Sequence, residues 1–74
     1  MRSTPLWQSI AADLRAEIDD GCLLPGQRLP TEAALAARFG VNRHTVRRAL
    51  AALVEDALVH TRRGSGAFVT ARPT

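Results

Sequence analysis

Residues 31–56 read TEAALAARFGVNRHTVRRALAALVED, and this stretch decides the fold. It holds two short helices separated by a glycine. Thr31 follows Pro30 and is placed to cap the first helix, with Glu32 beside the positive helix end. The full capping box is missing, because residue 34 is Ala. Gly40 ends the first helix and Asn42 can cap the next, which is predicted to run from Arg43 to about Asp56. Its buried face is expected to be Val46, Ala49, Leu50, Leu53 and Val54.

Ala36, Gly40 and Val46 stand at i, i+4 and i+10. A small residue lets two helix axes approach, a glycine takes φ > 0 in the tight turn, and a valine anchors the second helix on the first. This is helix-turn-helix spacing. Two unrelated helices with a glycine turn would share it, so the outward face of the second helix has to decide. At about 100° per residue with Val46 at zero, Arg47 falls near 100°, His44 near 160° and Arg48 near 200°. The side away from the core therefore carries His44, Arg47 and Arg48, flanked by Arg43 and Thr45. No acidic residue lies between Arg38 and Leu53. A basic face is usually just a solvated face, but on a second helix with this spacing it suits the major groove, where Arg can grip guanine O6 and N7.

Upstream, Leu6, Ile10, Leu14 and Ile18 recur every fourth residue, and Trp7 and Ala11 widen the stripe. This predicts an amphipathic helix over residues 5–20, with Pro5 at its start and Gly21 as its stop. Residues 22–30, CLLPGQRLP, form a connector whose three leucines suggest contact with the core, in part as a short extended piece. Downstream, Leu58–Thr61 and Ala67–Thr70 are short and β-prone, and Arg62-Arg63-Gly64-Ser65-Gly66 lies between them as a hairpin tip. The tip alone is an ordinary surface turn. Behind a basic recognition helix it reads as a wing, in which glycines admit close approach to a phosphate or groove floor. The predicted fold is mainly α with a small β-hairpin, a three-helix winged helix-turn-helix. Residues 1–74 read as one domain with its core over about 5–70, and 71–74 as a linker or frayed end.

Seventy-four residues leave little room for a substrate cavity in a chain whose aromatic side chains are only Trp7, Phe39 and Phe68, so an enzyme is not expected. The single cysteine, Cys22, rules out an intramolecular disulfide. Apolar runs fall well short of the ~18 to 20 residues of a membrane helix, and the expected compartment is the cytoplasm. Residues 1–37 carry three Arg against five Asp and Glu, whereas residues 38–74 carry seven Arg against two. The basic half looks toward a polyanion. All ten basic residues are Arg, which suits bidentate phosphate and guanine contacts, although codon bias accounts for much of the Lys absence.

The pieces Pro25-Gly26, Leu29-Pro30-Thr31-Glu32, Phe39-Gly40-Val41, Arg43-His44-Thr45-Val46-Arg47 and Gly64-Ser65-Gly66-Ala67-Phe68-Val69 together resemble the N-terminal winged helix-turn-helix of the GntR family of bacterial transcriptional regulators. The likeness spans residues 5–70. VNRHTVRRAL is similar to its HutC-type branch and, within that, to the phosphonate-utilisation regulators of PhnF type. The resemblance implies a double-stranded operator DNA partner, a repressor role, and dimers on near-palindromic sites. It implies base or phosphate contacts from Arg43 and Arg47, with His44 and Thr45 on the same surface. It further implies a minor-groove approach by Arg63 and Gly64, and a phosphate contact from Thr31. Arg48 and Arg62 join these through the basic face and the wing. Many members carry Arg after the position matching Glu32, and this chain has Ala33, so that contact is absent. Family members continue into an effector-binding, dimerising domain. This chain stops at Thr74, so a monomer or weak dimer is expected, with no effector pocket and no cofactor.

Other readings compete with this one. A winged-helix protein-interaction module would set the same arginines against an acidic protein surface. Structured-RNA binding would call for aromatics on the basic face, which are missing. His44, His60 and Cys22 lack zinc-ligand spacing, so no metal is expected. Nor does Ser65 near His60 have a third catalytic partner, and Gly64-Ser65-Gly66 leads into a strand rather than the helix a phosphate loop requires. Trp7 is expected to pack between helices, an exposed Trp7 being the mark of a dimer contact. Asp19 and Asp20 oppose the dipole of their own helix end, for which the sequence offers no reason.

Overall fold

In the computed structural model, which describes residues 5–64 and 66–70, a helix begins as soon as the chain leaves Pro5. The expectations for Ser65 and for residues 71–74 lie outside the described residues. Helix α1 spans Leu6–Asp20 and ends at Gly21, which is left-handed at φ 83° and donates its N–H to the Ile18 carbonyl. α1 buries Ile10, Ala11 and Leu14. Leu6 departs from the predicted stripe: it is 62% exposed and is not part of the core that Ile10, Ala11 and Leu14 join.

Helix α2 spans Glu32–Phe39 and α3 spans Arg43–Glu55. Both predicted caps form. The Thr31 hydroxyl accepts from the Ala34 N–H at 3.0 Å, and the Asn42 side-chain Oδ1 accepts from the Thr45 N–H at 2.9 Å. Each satisfies one of the donors that a helix start leaves open. Gly40 takes φ 68°, a left-handed turn that most side chains resist, and so allows α3 to follow α2 after only three residues. α3 buries Val46, Ala49, Leu50 and Leu53. Val54 does not join them and is 40% exposed, since it lies about 80° round the wheel from Val46.

Helix α3 closes through a turn in which Leu58 donates its N–H to the Leu53 carbonyl at 3.0 Å, with Ala57 left-handed at φ 61°. That use of the Leu58 N–H delays the strand. β1 therefore spans Val59–Arg62 and β2 spans Gly66–Val69, each one residue nearer the tip than predicted. They pair antiparallel, with Val59 opposite Val69, His60 opposite Phe68 and Arg62 opposite Gly66.

The connector lies against this hairpin. Leu29 donates to the Ala67 carbonyl at 2.8 Å and Val69 donates to the Gln27 carbonyl at 2.9 Å, with Arg28 bridged antiparallel to Phe68. β2 is thus hydrogen-bonded on both sides. Leu23 and Leu29 enter the core, but Leu24 remains 57% exposed at the turn. One core joins all the elements: Leu14, Leu35, Val46 and Leu53 are fully buried at the helix junction, and Val59 and Val69 extend it under the hairpin. Each such side chain contributes about 1.5–3 kcal/mol by leaving water.

Candidate nucleic-acid interface

Ion pairs that the linear pattern does not reveal link the three helices. Arg38 of α2 clasps Glu17 of α1 with both terminal nitrogens, one of them 3.2 Å from Oε1. This hydrogen bonding to Glu17 raises the pKa of Arg38 above the usual arginine value. Arg15 of α1 pairs with Asp56 at the end of α3. The first contact joins α1 to α2 and the second joins α1 to the end of α3, and exposed pairs of this kind add little to stability.

The basic residues of α3 do not share one direction. Arg43, at its first position, turns toward the wing and lines a cleft of about 630 Å³. His44 is exposed. Thr45 is half-buried, and its hydroxyl donates to the Asn42 side chain at 3.1 Å, so it serves the cap. Arg47 is exposed and pairs with Glu32 at 3.2 Å, a hydrogen bond that raises its pKa above the ordinary arginine value. Arg48 lies on the opposite flank, its guanidinium 5.0 Å from the centre of the Trp7 ring of α1. Trp7 is half-buried against the core, the packing role expected for it.

Thr31, Arg43, Arg62 and Gly64 come together on the walls of that cleft. Arg62 ends β1 rather than lying in the loop, and its guanidinium sits 5.9 Å from the Phe68 ring centre. Arg63 is exposed in the turn and is not part of the cleft lining. Gly64 is left-handed at φ 77°.

Two further residues of the cleft escaped the sequence reading: Arg28 and Glu32. Pairing of Arg28 with Phe68 puts it on the same sheet face as Phe68 and His60, whose rings stack at 5.8 Å. From there the Arg28 side chain passes over Gly66, where an added Cβ would lie 3.3 Å from its Nε. Arg28 sits in the acidic half of the chain, which hid it. The alternation Arg28 out, Leu29 in was the available signal. Among the described residues, none of the ion pairs uses Arg28, Arg43, Arg62 or Arg63. Their guanidinium groups are open to an external anion.

Among the described residues no three His, Cys, Asp or Glu side chains converge as a metal-holding group, and Cys22 is exposed. No helix among them is long and apolar enough to cross a membrane.

Three helices, a glycine turn at Gly40 and an antiparallel hairpin beside an exposed basic helix define a winged helix-turn-helix protein. The chain belongs to the bacterial regulatory proteins of the gntR family, whose family model matches residues 6–69. It is 48% identical over 69 residues to the mannosyl-D-glycerate transport/metabolism system repressor MngR of Escherichia coli (strain K12), covering 93% of this chain and 29% of MngR. It is 49% identical over 67 residues to PhnF of the same organism, covering 90% of this chain and 27% of PhnF. The chain thus spans less than a third of the length of these curated relatives. Among solved structures, AraR(DBD) in complex with operator ORR3 superposes with a TM-score of 0.89 at 36% identity, covering 93% of this chain and 83% of that one.

Proposed function

We propose that this chain reads operator DNA as the DNA-binding domain of a bacterial transcriptional repressor. The observation that carries the reading is the opening of Arg28, Arg43 and Arg62, with Thr31, onto one cleft beside the exposed face of α3. A phosphate strand held in the cleft would seat the start of α3 in the major groove, with His44 and Arg47 toward base edges and Arg63 and Gly64 toward the minor groove. Arg48 would meet the backbone on the α1 side. AraR(DBD), of nearly the same fold, is bound to an operator, and MngR is a repressor; both support the reading.

Within the family we assign the chain to the HutC-type branch, on VNRHTVRRAL and its similarity to MngR and PhnF. In the whole protein, dimerisation and effector binding would belong to a further domain, and this domain alone would pair weakly on two half-sites. The activity is binding rather than catalysis, with no cofactor, and its place is the cytoplasm.

Selection of duplexes from a random pool would recover the half-site and its spacing. Titration of that duplex against a scrambled one at rising salt tests the assignment. Affinity should fall steeply with salt as counterions are released. Arg47→Ala should abolish the preference between duplexes, whereas Arg62→Ala should weaken both alike. Equal losses on both duplexes for both variants would refute it, and binding to an acidic protein surface that duplex DNA fails to displace would favour an interaction module.

A further inference from the structure

We infer that Glu32 is the positioning residue that makes Arg47 a reader of bases rather than a holder of phosphate, an inference that rests on the groove-facing role proposed for α3. Glu32 opens α2, and its carboxylate meets Arg47 along one side of the guanidinium: Nε lies 3.4 Å from Oε2 and Nη2 lies 3.2 Å from Oε1. A guanidinium carries five N–H donors. This side-on grip occupies one on Nε and one on Nη2. It leaves the end-on fork, Nη1 with the second Nη2 hydrogen, free and fixed in direction. That fork is the edge that matches O6 and N7 of guanine.

Charge acts in the same sense. The Arg47 side chain is 66% exposed, so without Glu32 it would be a mobile cation attracted to any phosphate. With the carboxylate along its side edge, the pair is close to neutral overall, and a phosphate at the free fork also feels repulsion from Glu32. A neutral base edge pays no such penalty. The Glu32 side chain is itself only 38% exposed and sits in the wall of the arginine-lined cleft. It is the single acidic residue of that lining, amid Arg28, Arg43 and Arg62. The raised pKa of Arg47, caused first by this hydrogen bond, reflects the same hold.

The test compares the 74-residue chain with Glu32→Gln, Glu32→Asp, Arg47→Ala and the double variant Glu32→Gln/Arg47→Ala. The probes are the duplex selected by the unmodified chain and a scrambled duplex of equal composition. Glu32→Gln should lower the ratio of selected to scrambled affinity by about tenfold, within the range a base-reading arginine supplies, with part of the change a gain on scrambled DNA. Glu32→Asp keeps the charge at the helix start but falls one methylene short, and it should lower the ratio in the same direction. It also carries the test if the Gln variant folds poorly. In the Arg47→Ala background, Glu32→Gln should leave the ratio unchanged.

An unaltered ratio in Glu32→Gln and Glu32→Asp, or equal gains on both duplexes, overturns the role of Glu32 while leaving the DNA-reading assignment intact. An unmodified chain that does not prefer its selected duplex overturns that assignment and this inference together.

Discussion

The guanidinium carbon of Arg48 lies 5.0 Å from the centre of the Trp7 ring, tying the outer flank of α3 to the first turns of α1. Arg48 is exposed and Trp7 half-buried, and a cation–π pair with an exposed partner is worth about 0.5–1 kcal/mol. Trp7 is the sole tryptophan of the chain, so its fluorescence reports this junction without interference. Arg48→Ala should shift the Trp7 emission and lower the melting temperature by about 2–8 °C. An unchanged spectrum and melting curve would show that the contact contributes nothing.

Arg28 leads to a second prediction. It stands in the connector but opens on the same cleft as Arg43 and Arg62. Arg28→Ala should weaken selected and scrambled duplexes by similar factors, and should flatten the dependence of log affinity on log salt by about 0.9. A loss confined to the selected duplex would mean that Arg28 touches a base edge.

Gly66 has two reasons to be glycine. Its φ is 103°, and a Cβ there would lie 3.3 Å from Nε of Arg28. Gly66→Ala should cost on the order of 1–3 kcal/mol in thermal or denaturant unfolding. In an Arg28→Ala background the crowding disappears and the backbone strain remains, so the cost should shrink without vanishing. Equal costs in both backgrounds would mean that Arg28 simply moves aside.

Ala57 is the one described non-glycine residue at positive φ, 61° in the turn that closes α3. Its backbone N–H still donates to Val54 at 2.9 Å, so the turn is fully engaged despite the strain. A left-handed alanine costs roughly 1–2 kcal/mol, part of which glycine's greater freedom in the unfolded chain offsets. Ala57→Gly should therefore raise the melting temperature by a few degrees, about 4 °C or more for a net gain near 1 kcal/mol. A lower melting temperature would show that the entropy of the unfolded chain dominates.

The helices were legible because local chemistry determines them. Pro5, Thr31 and Asn42 start them, Gly21 and Gly40 stop the first two, and four-residue apolar recurrence selects the buried side. The failures fall at edges. Leu6 and Val54 fit the apolar pattern yet stay exposed, since burial requires a neighbour as well as a periodicity. β1 begins one residue late and β2 ends one residue early because the helix closure claims the Leu58 N–H, a contest that composition does not record.

By itself, then, the sequence determined the order of elements, the caps, the glycine turn and the presence of arginines on the outer side of α3. Those features depend on interactions within a few residues and on a repeat that each helix imposes on its own side chains. Tertiary structure alone decided which partner each arginine meets. Glu17 with Arg38, Arg15 with Asp56, Glu32 with Arg47 and Trp7 with Arg48 are separated by up to 41 positions and meet only because three helices pack at one set of angles. The same packing brings Arg28 from an acidic half into a basic cleft, because a connector strand paired to β2 carries it there. Charge along a chain is a sum over residues, whereas a binding surface is a matter of distance. Distance between elements is fixed by the shared core, not by position in the sequence.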